Sequence, residues 1–176
     1  MSSLAPSAAP HASSLLLETA APSPAALVTA RLKDYLILAK PRIAVMALAV
    51  VSVGYAVGCQ GEFVLLYLLD SLFGIGAIAA GCSVLNQWLE IGTDRLMRRT
   101  SRRPLPVGRV APTEALWLGT ALALVGTVWL VAYVNVLTAV LTLATLVAYV
   151  GIYTPLKRYS PLCTAIGAIP GAMPPV

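Results

Sequence analysis

Apolar residues in this chain neither alternate nor recur on a single helical stripe; they run on without interruption. Charge-free stretches extend from Ile43 to Gly61, Ser71 to Leu89, Ala115 to Leu156 and Tyr159 to Val176. A membrane-crossing helix needs roughly 20 such residues. The third stretch is long enough for two helices, and its natural break is at Tyr133-Val134-Asn135. The pattern predicts an all-α, polytopic transmembrane bundle of four spans and the start of a fifth. That fifth run, Thr164 to Val176, carries Gly167, Pro170, Gly171, Pro174 and Pro175. It reads as a broken helix of the kind that lines a cavity or packs on protein at membrane depth.

Composition agrees with a bilayer protein: 59% of the 176 residues are hydrophobic and 11% charged. The first 30 residues differ, being rich in Ala, Ser and Pro with no Lys or Arg before Arg31. They lack the basic start of a signal peptide and the arginines of a mitochondrial presequence. Residues 1–30 are expected to be a disordered extension, with residues 31–176 forming the membrane domain.

Charge placement sets the orientation. Four basic residues precede the first span (Arg31, Lys33, Lys40, Arg42), six lie between the second and third, and two follow the fourth, which accounts for all twelve. With four spans these segments share one side, which the positive-inside rule makes cytoplasmic. The opposite loops carry only Glu62, Asp70 and Asn135. An N-terminus in the cytoplasm and residence in a bacterial inner membrane are the expectation. The net charge of +5 thus marks topology and contact with membrane lipid, and nucleic-acid binding is not expected. The boundaries carry helix-start signals: Thr113 before Glu114, and Ser160 before Pro161.

Cys59, Cys82 and Cys163 are dispersed and read as core residues, while the single histidine, His11, lies in the N-terminal segment. Trp88, Trp117, Trp129 and Tyr133 suit interface and packing roles. Gly74, Gly76 and Gly81 suit close helix packing.

Candidate chemistry concentrates in Asn86 to Gly108, NQWLEIGTDRLMRRTSRRPLPVG. Asn86, Glu90 and Asp94 are spaced i, i+4, i+8, so a continuing helix stacks them along one face. Oxygen donors of this kind suit a hard cation such as Mg²⁺, which is commonly shared with substrate phosphates. Arg99 and Arg103 could meet phosphate oxygens in a bidentate fashion. Tyr153, Lys157 and Arg158 emerge on the same side. Each group also has a plainer reading, as a solvated helix end or as topology-setting cations beside an aromatic belt. Spacing alone supports a metal-diphosphate site and leaves the substrate open.

The Asn86-x-x-x-Glu90-x-x-x-Asp94 pattern resembles the first aspartate-rich motif of the intramembrane (UbiA-type) prenyltransferases. Tyr153-x-x-x-Lys157 resembles a second diphosphate-contacting motif of that superfamily. Within it, LAKPRI (Leu38 to Ile43), DRLMRRTSRRPLPVGR (Asp94 to Arg109) and YTPLKRYSPLCTAIGAIPGAMPP (Tyr153 to Pro175) look most like the branch that farnesylates protoheme IX. The resemblance implies a fold of about nine helices, of which this would be the N-terminal half. It implies that Asn86, Glu90 and Asp94 hold Mg²⁺ and the diphosphate of farnesyl diphosphate, with Arg99, Arg103, Tyr153, Lys157 and Arg158 on the diphosphate. The product would be haem O, and other haem A biosynthesis proteins are candidate partners. Glu90 stands where the superfamily commonly has aspartate, and the second acidic motif falls outside this chain, so the chain alone is expected to be inactive. The alternatives are a relative acting on a quinone precursor or other aromatic acceptor, and a non-catalytic membrane subunit or transporter. Transport would predict charges deeper in the spans and internal repeats, and the sequence has neither.

Overall fold

In a computed structural model, residues 23–59 and 63–157 are described. The described elements are helical: α1 (Pro24–Ala39), α2 (Pro41–Gly58), α3 (Leu65–Leu89), α4 (Ile91–Leu96), α5 (Pro104–Val107), α6 (Pro112–Tyr133) and α7 (Val136–Val147). Beyond α7 the chain continues through a π-helical stretch, Ala148–Tyr153, into α8 (Thr154–Leu156). Four segments are long and apolar enough to cross a membrane: α2, α3, α6 and Val136–Leu156. The protein is a multi-pass membrane protein. The fifth run, with Cys163 and the Ser160-Pro161 start, lies outside the described residues.

Several boundaries differ from expectation. A helix already runs from Pro24, inside the segment read as an extension to residue 30, with the Ala26 N–H bonded to Ser23 Oγ (3.3 Å). The chain divides into two units at Leu32/Lys33. Span α3 opens at Leu65, so Asp70 lies in a helix and not in a loop. Helix α6 opens two residues before Glu114. Its cap is Ala111, Pro112 fills the first position, where a missing N–H costs nothing, and Glu114 Oε2 accepts the Ala111 N–H (3.3 Å). Thr113 is therefore inside the helix. The break near Asn135 occurs as expected, since the Asn135 side chain accepts the Thr138 N–H at 2.7 Å and caps α7.

Spans α3 and α6 run antiparallel and approach through two reciprocal glycine pairs. A Cβ on Gly81 would stand 2.6 Å from the Gly119 carbonyl oxygen, and one on Gly126 would stand 2.6 Å from that of Gly74. Within a bilayer no hydrophobic drive holds helices together, so close backbone approach and the dispersion it permits do that work. Ile78, Ala123, Leu130, Ala139 and Leu146 form the buried cluster that joins α7 to this pair. Span α2 packs on α3, where Gly76 sits against Leu48. Large side chains such as Met46, Val57, Trp117 and Leu137 point outward, as a lipid-facing surface requires.

At the basic end a second cluster, Leu38, Val84, Leu105, Val110 and Ala115, ties the last turn of α1 to α3, α5 and α6. The Leu38 carbonyl, in the last turn of α1, accepts from the buried Gln87 Nε2 at 2.6 Å. Asp34 accepts two bonds from Arg109 Nε (both 3.1 Å) and pairs with its Nη2 (3.0 Å). Tyr35 bonds Glu114. These contacts fix the loop between α3 and α6, and with it the arginine run.

Candidate functional site

The helix carrying Asn86 does not continue unbroken. It ends at Leu89, Glu90 has φ −93° and ψ 0°, and the chain resumes as α4. The bonds Glu90 N–H to Asn86 O (3.1 Å) and Asp94 N–H to Glu90 O (2.8 Å) bridge the irregularity. The three residues thus keep roughly the stacking that their spacing predicts. Asn86 and Asp94 are buried and Glu90 is half-buried.

Each oxygen-bearing side chain has a partner. Asn86 Nδ2 donates to Glu90 Oε2 at 2.9 Å. Glu90 is ion-paired with Lys157, and Asp94 Oδ2 with Arg103 Nη1 at 2.7 Å. The loop that presents Arg103 is pinned by Thr100 Oγ1 donating to the Asp94 carbonyl (3.0 Å). Arg103 caps α5, which Gly108 closes in the left-handed conformation (φ 82°); glycine adopts this without a Cβ clash. The expected group therefore assembles around two acid–base pairs. Arg99 is exposed on the loop, and no ion pair ties it to these acids among the described residues. Tyr153 lies beneath Lys157, whose Nζ is 5.6 Å from the ring centroid. Arg158 lies outside the described residues.

Two residues escape sequence reasoning. Thr154 is 1% exposed, and its hydroxyl donates to Asn86 Oδ1 at 2.6 Å. It stands between the motif residues Tyr153 and Lys157, but only the π-helical offset before it shows which way it faces. Such offsets often mark functional positions. The other is Lys40, which along the sequence is a basic residue of the LAKPRI stretch before the first span, with no role of its own in the site. It separates α1 from α2 and lies among Arg103, Glu90, Asp94 and Lys157. Burial first, and then Arg103, pushes its ammonium below the ordinary 10.5.

A cavity of about 650 Å³ runs from this charged mouth between α2, α3 and α7. Lys40, Ser83 and Asn86 line its near end, while Tyr55, Tyr67 and Asn135 line the other. Between them the walls are mainly apolar, including Ala47, Val51, Ile75, Ile78 and Leu146. No group of three His, Cys, Asp or Glu side chains occurs among the described residues. The donor set is two carboxylates and an amide, already opposed by two cations. Mg²⁺ commonly takes one or two carboxylates plus substrate phosphates, so these residues fit one side of a metal-diphosphate site.

The fold and this mouth define a multi-pass helical membrane protein with charged, oxygen-rich machinery over an apolar channel. The chain belongs to the UbiA prenyltransferase family, whose pattern matches residues 47–176. It is 43% identical over 154 residues to the protoheme IX farnesyltransferase of Solibacter usitatus, covering 82% of this chain and 53% of that protein. The enzymes of the same name from Marinobacter nauticus (41%) and Aquifex aeolicus (42%) each match 82% of this chain and 48% and 50% of their own lengths. The chain therefore spans about half the length of these curated relatives. A solved structure from work on digeranylgeranylglyceryl phosphate synthase in membranes superposes with a TM-score of 0.72, covering 81% of this chain and 50% of that one. At 24% identity that likeness speaks to the fold alone.

Proposed function

We propose that this chain supplies the diphosphate-binding half of a protoheme IX farnesyltransferase, which transfers farnesyl from farnesyl diphosphate to a vinyl group of protoheme and gives haem O. The observation that carries this reading is the paired network Asn86–Glu90–Lys157 and Asp94–Arg103 at the mouth of an apolar cavity. An amphiphile with an anionic head and an isoprenoid tail matches that division. The names of the relatives supply the acceptor, and haem rather than a quinone precursor is accordingly the acceptor proposed.

Mg²⁺, when bound, would supply positive charge to the departing diphosphate, held by Asn86, Glu90 and Asp94. Arg103 and Lys157 face those carboxylates and can share themselves with phosphate oxygens, while Arg99 and Arg158 add positive charge at the mouth. Tyr153 holds Lys157 in place through its ring. Preplaced cations stabilise the leaving anion as the allylic carbon–oxygen bond breaks, and such electrostatic stabilisation commonly dominates the rate enhancement in chemistry of this kind. The electron-rich vinyl group then attacks the allylic cation, and water captures the resulting carbocation with release of a proton to give the hydroxyl. The distribution of arginine and lysine supports a basic end on the cytoplasmic side, and the bacterial sources of the relatives support an inner membrane.

Haem O formation from protoheme and farnesyl diphosphate with Mg²⁺ tests this. The assay uses membranes in which the chain is joined to the C-terminal half of a relative. Formation that is lost in Glu90→Ala and Asp94→Ala is expected. Activity surviving both substitutions would reduce the acidic residues to a solvated helix end.

A further inference from the structure

A positive charge that forms inside the cavity meets no carboxylate. Among the described residues that line it there is none, and the one charged group, Lys40, is itself a cation. On the reaction proposed above, such a charge must form there. The allylic carbon–oxygen bond breaks, its electron pair leaves with the diphosphate, and the positive charge is left on the allyl end of the farnesyl chain. The anion stays with the cations at the mouth, so the allyl group lies just deeper, on the cavity side.

Hydroxyls and aromatic faces are what the described walls can offer it. Three aromatic side chains line the cavity, Tyr55, Tyr67 and Tyr149. The first two stand at the far end, stacked with centroids 6.0 Å apart, and Tyr67 accepts from Asn135 Nδ2 at 2.9 Å. Of the three, only Tyr149 stands at the near end, within electrostatic reach of Cys82 and Glu90. Its ring stacks on that of Tyr153 (5.2 Å, 27°), and the Lys157 ammonium lies 5.6 Å from the Tyr153 centroid. The column therefore runs ammonium, ring, ring from the mouth to the cavity wall.

The π-helical stretch holds the column in register with the oxygen donors. The Tyr149 carbonyl accepts both the N–H of Thr154 and its hydroxyl (2.9 Å). That same hydroxyl reaches Asn86. One residue thus ties the backbone of Tyr149 to the first of the three oxygen-bearing side chains.

We propose that Tyr149 is a catalytic residue whose ring face stabilises the positive charge developing on the allyl group as the diphosphate leaves. This rests on the function proposed above. An aromatic ring carries negative charge density on its face and attracts a cation within about 6 Å of its centroid, more strongly where water is excluded. The neutral chain gains little from that field, so the attraction acts mainly once the bond begins to break. Such differential binding raises the rate without tightening substrate binding. The acceptor's vinyl group then forms the new carbon–carbon bond, the charge passes to an acceptor carbon, and water adds there with release of a proton.

Two measurements test this. In membranes carrying the chain joined to the C-terminal half of a relative, Tyr149→Leu should lower kcat for haem O formation roughly tenfold to thirtyfold, with the KM for farnesyl diphosphate unchanged. Tyr149→Phe keeps the ring without the hydroxyl and should recover most of the loss. With the full chain in phosphatidylcholine nanodiscs, a farnesyl-chain ammonium ion supplied with Mg²⁺ and inorganic diphosphate should bind Tyr149→Leu more weakly by a similar factor. Farnesol, the same chain without the charge, should bind it as it binds the native chain, which also shows that the variant is folded. If Tyr149→Leu keeps the native kcat while Glu90→Ala/Asp94→Ala loses it, the inference fails and the site reading stands. Unchanged ammonium binding would overturn it too. Equal loss of ammonium and farnesol binding would do the same, because only the cavity's shape would then have changed. So would a phenylalanine variant as slow as the leucine one, since the hydroxyl would then be the acting group. A fusion with the native residues that forms no haem O would overturn both.

Discussion

Replacing Gly81 with alanine adds one methyl group at the tightest point of the α3–α6 contact. The new Cβ would stand 2.6 Å from the Gly119 carbonyl oxygen and 3.0 Å from the Ala123 nitrogen. Both are backbone atoms of a regular helix, so no side chain can rotate away and the two spans must separate by several tenths of an ångström. Overpacking of this kind costs about 1–3 kcal/mol, and alanine's better helix propensity returns up to about 1 kcal/mol. The net loss should be roughly 1–2 kcal/mol, or about 2–8 °C in Tm for a chain of this size. Gly74→Ala meets the Leu130 side chain first and should lose less, because that side chain can move. Gly58→Ala, with nothing within 4 Å, should lie within about 0.5 kcal/mol of the native chain. A heat challenge followed by size-exclusion chromatography in mild detergent would read the three variants side by side. Gly81→Ala as stable as Gly58→Ala would refute the reasoning, since helices that tolerate the methyl are not packed backbone to backbone.

Two further predictions concern the mouth. Arg103→Met leaves the Asp94 carboxylate, 4% exposed, without its partner; breaking a fully buried pair costs about 3–5 kcal/mol, and the 24% exposure of the Arg103 side chain reduces this to roughly 1–3 kcal/mol. Adding Asp94→Asn should restore much of that stability, so a double-mutant cycle showing no coupling between the two would contradict the pairing. For Lys40, whose folded pKa lies below 10.5, the unfolded chain binds more protons between the two values, so stability should rise as pH climbs through that window. Lys40→Met should remove that part of the slope, and an unchanged slope in alkaline denaturation profiles would contradict the assignment.

The sequence by itself determined what depends on composition and local chemistry. Three uncharged runs, the longest of them long enough for two helices, account for the four described spans, because a backbone in hydrocarbon must satisfy its own hydrogen bonds. Asn135 marks the loop between two of them because its side chain can cap a helix, and the i, i+4, i+8 spacing points Asn86, Glu90 and Asp94 toward one side, a placement that survives the irregularity at Glu90 through two bridging backbone bonds. Tertiary structure decided everything that depends on which surfaces meet. Gly119 and Gly126 acquire meaning only in register with Gly81 and Gly74, seven residues apart on an antiparallel neighbour. Thr154 becomes part of the site only when a π-helical offset turns it toward a residue 68 positions away. Arg103 rather than Arg99 pairs with Asp94 because the Thr100 bond and the buried Leu105 and Val110 fold the loop back onto it. Lys40 looks like one more topology charge along the chain, and only the packing of α2, α3 and α7 encloses it at the head of a cavity. Local rules assign each residue's conformation and polarity, but burial and charge balance arise between segments distant in sequence.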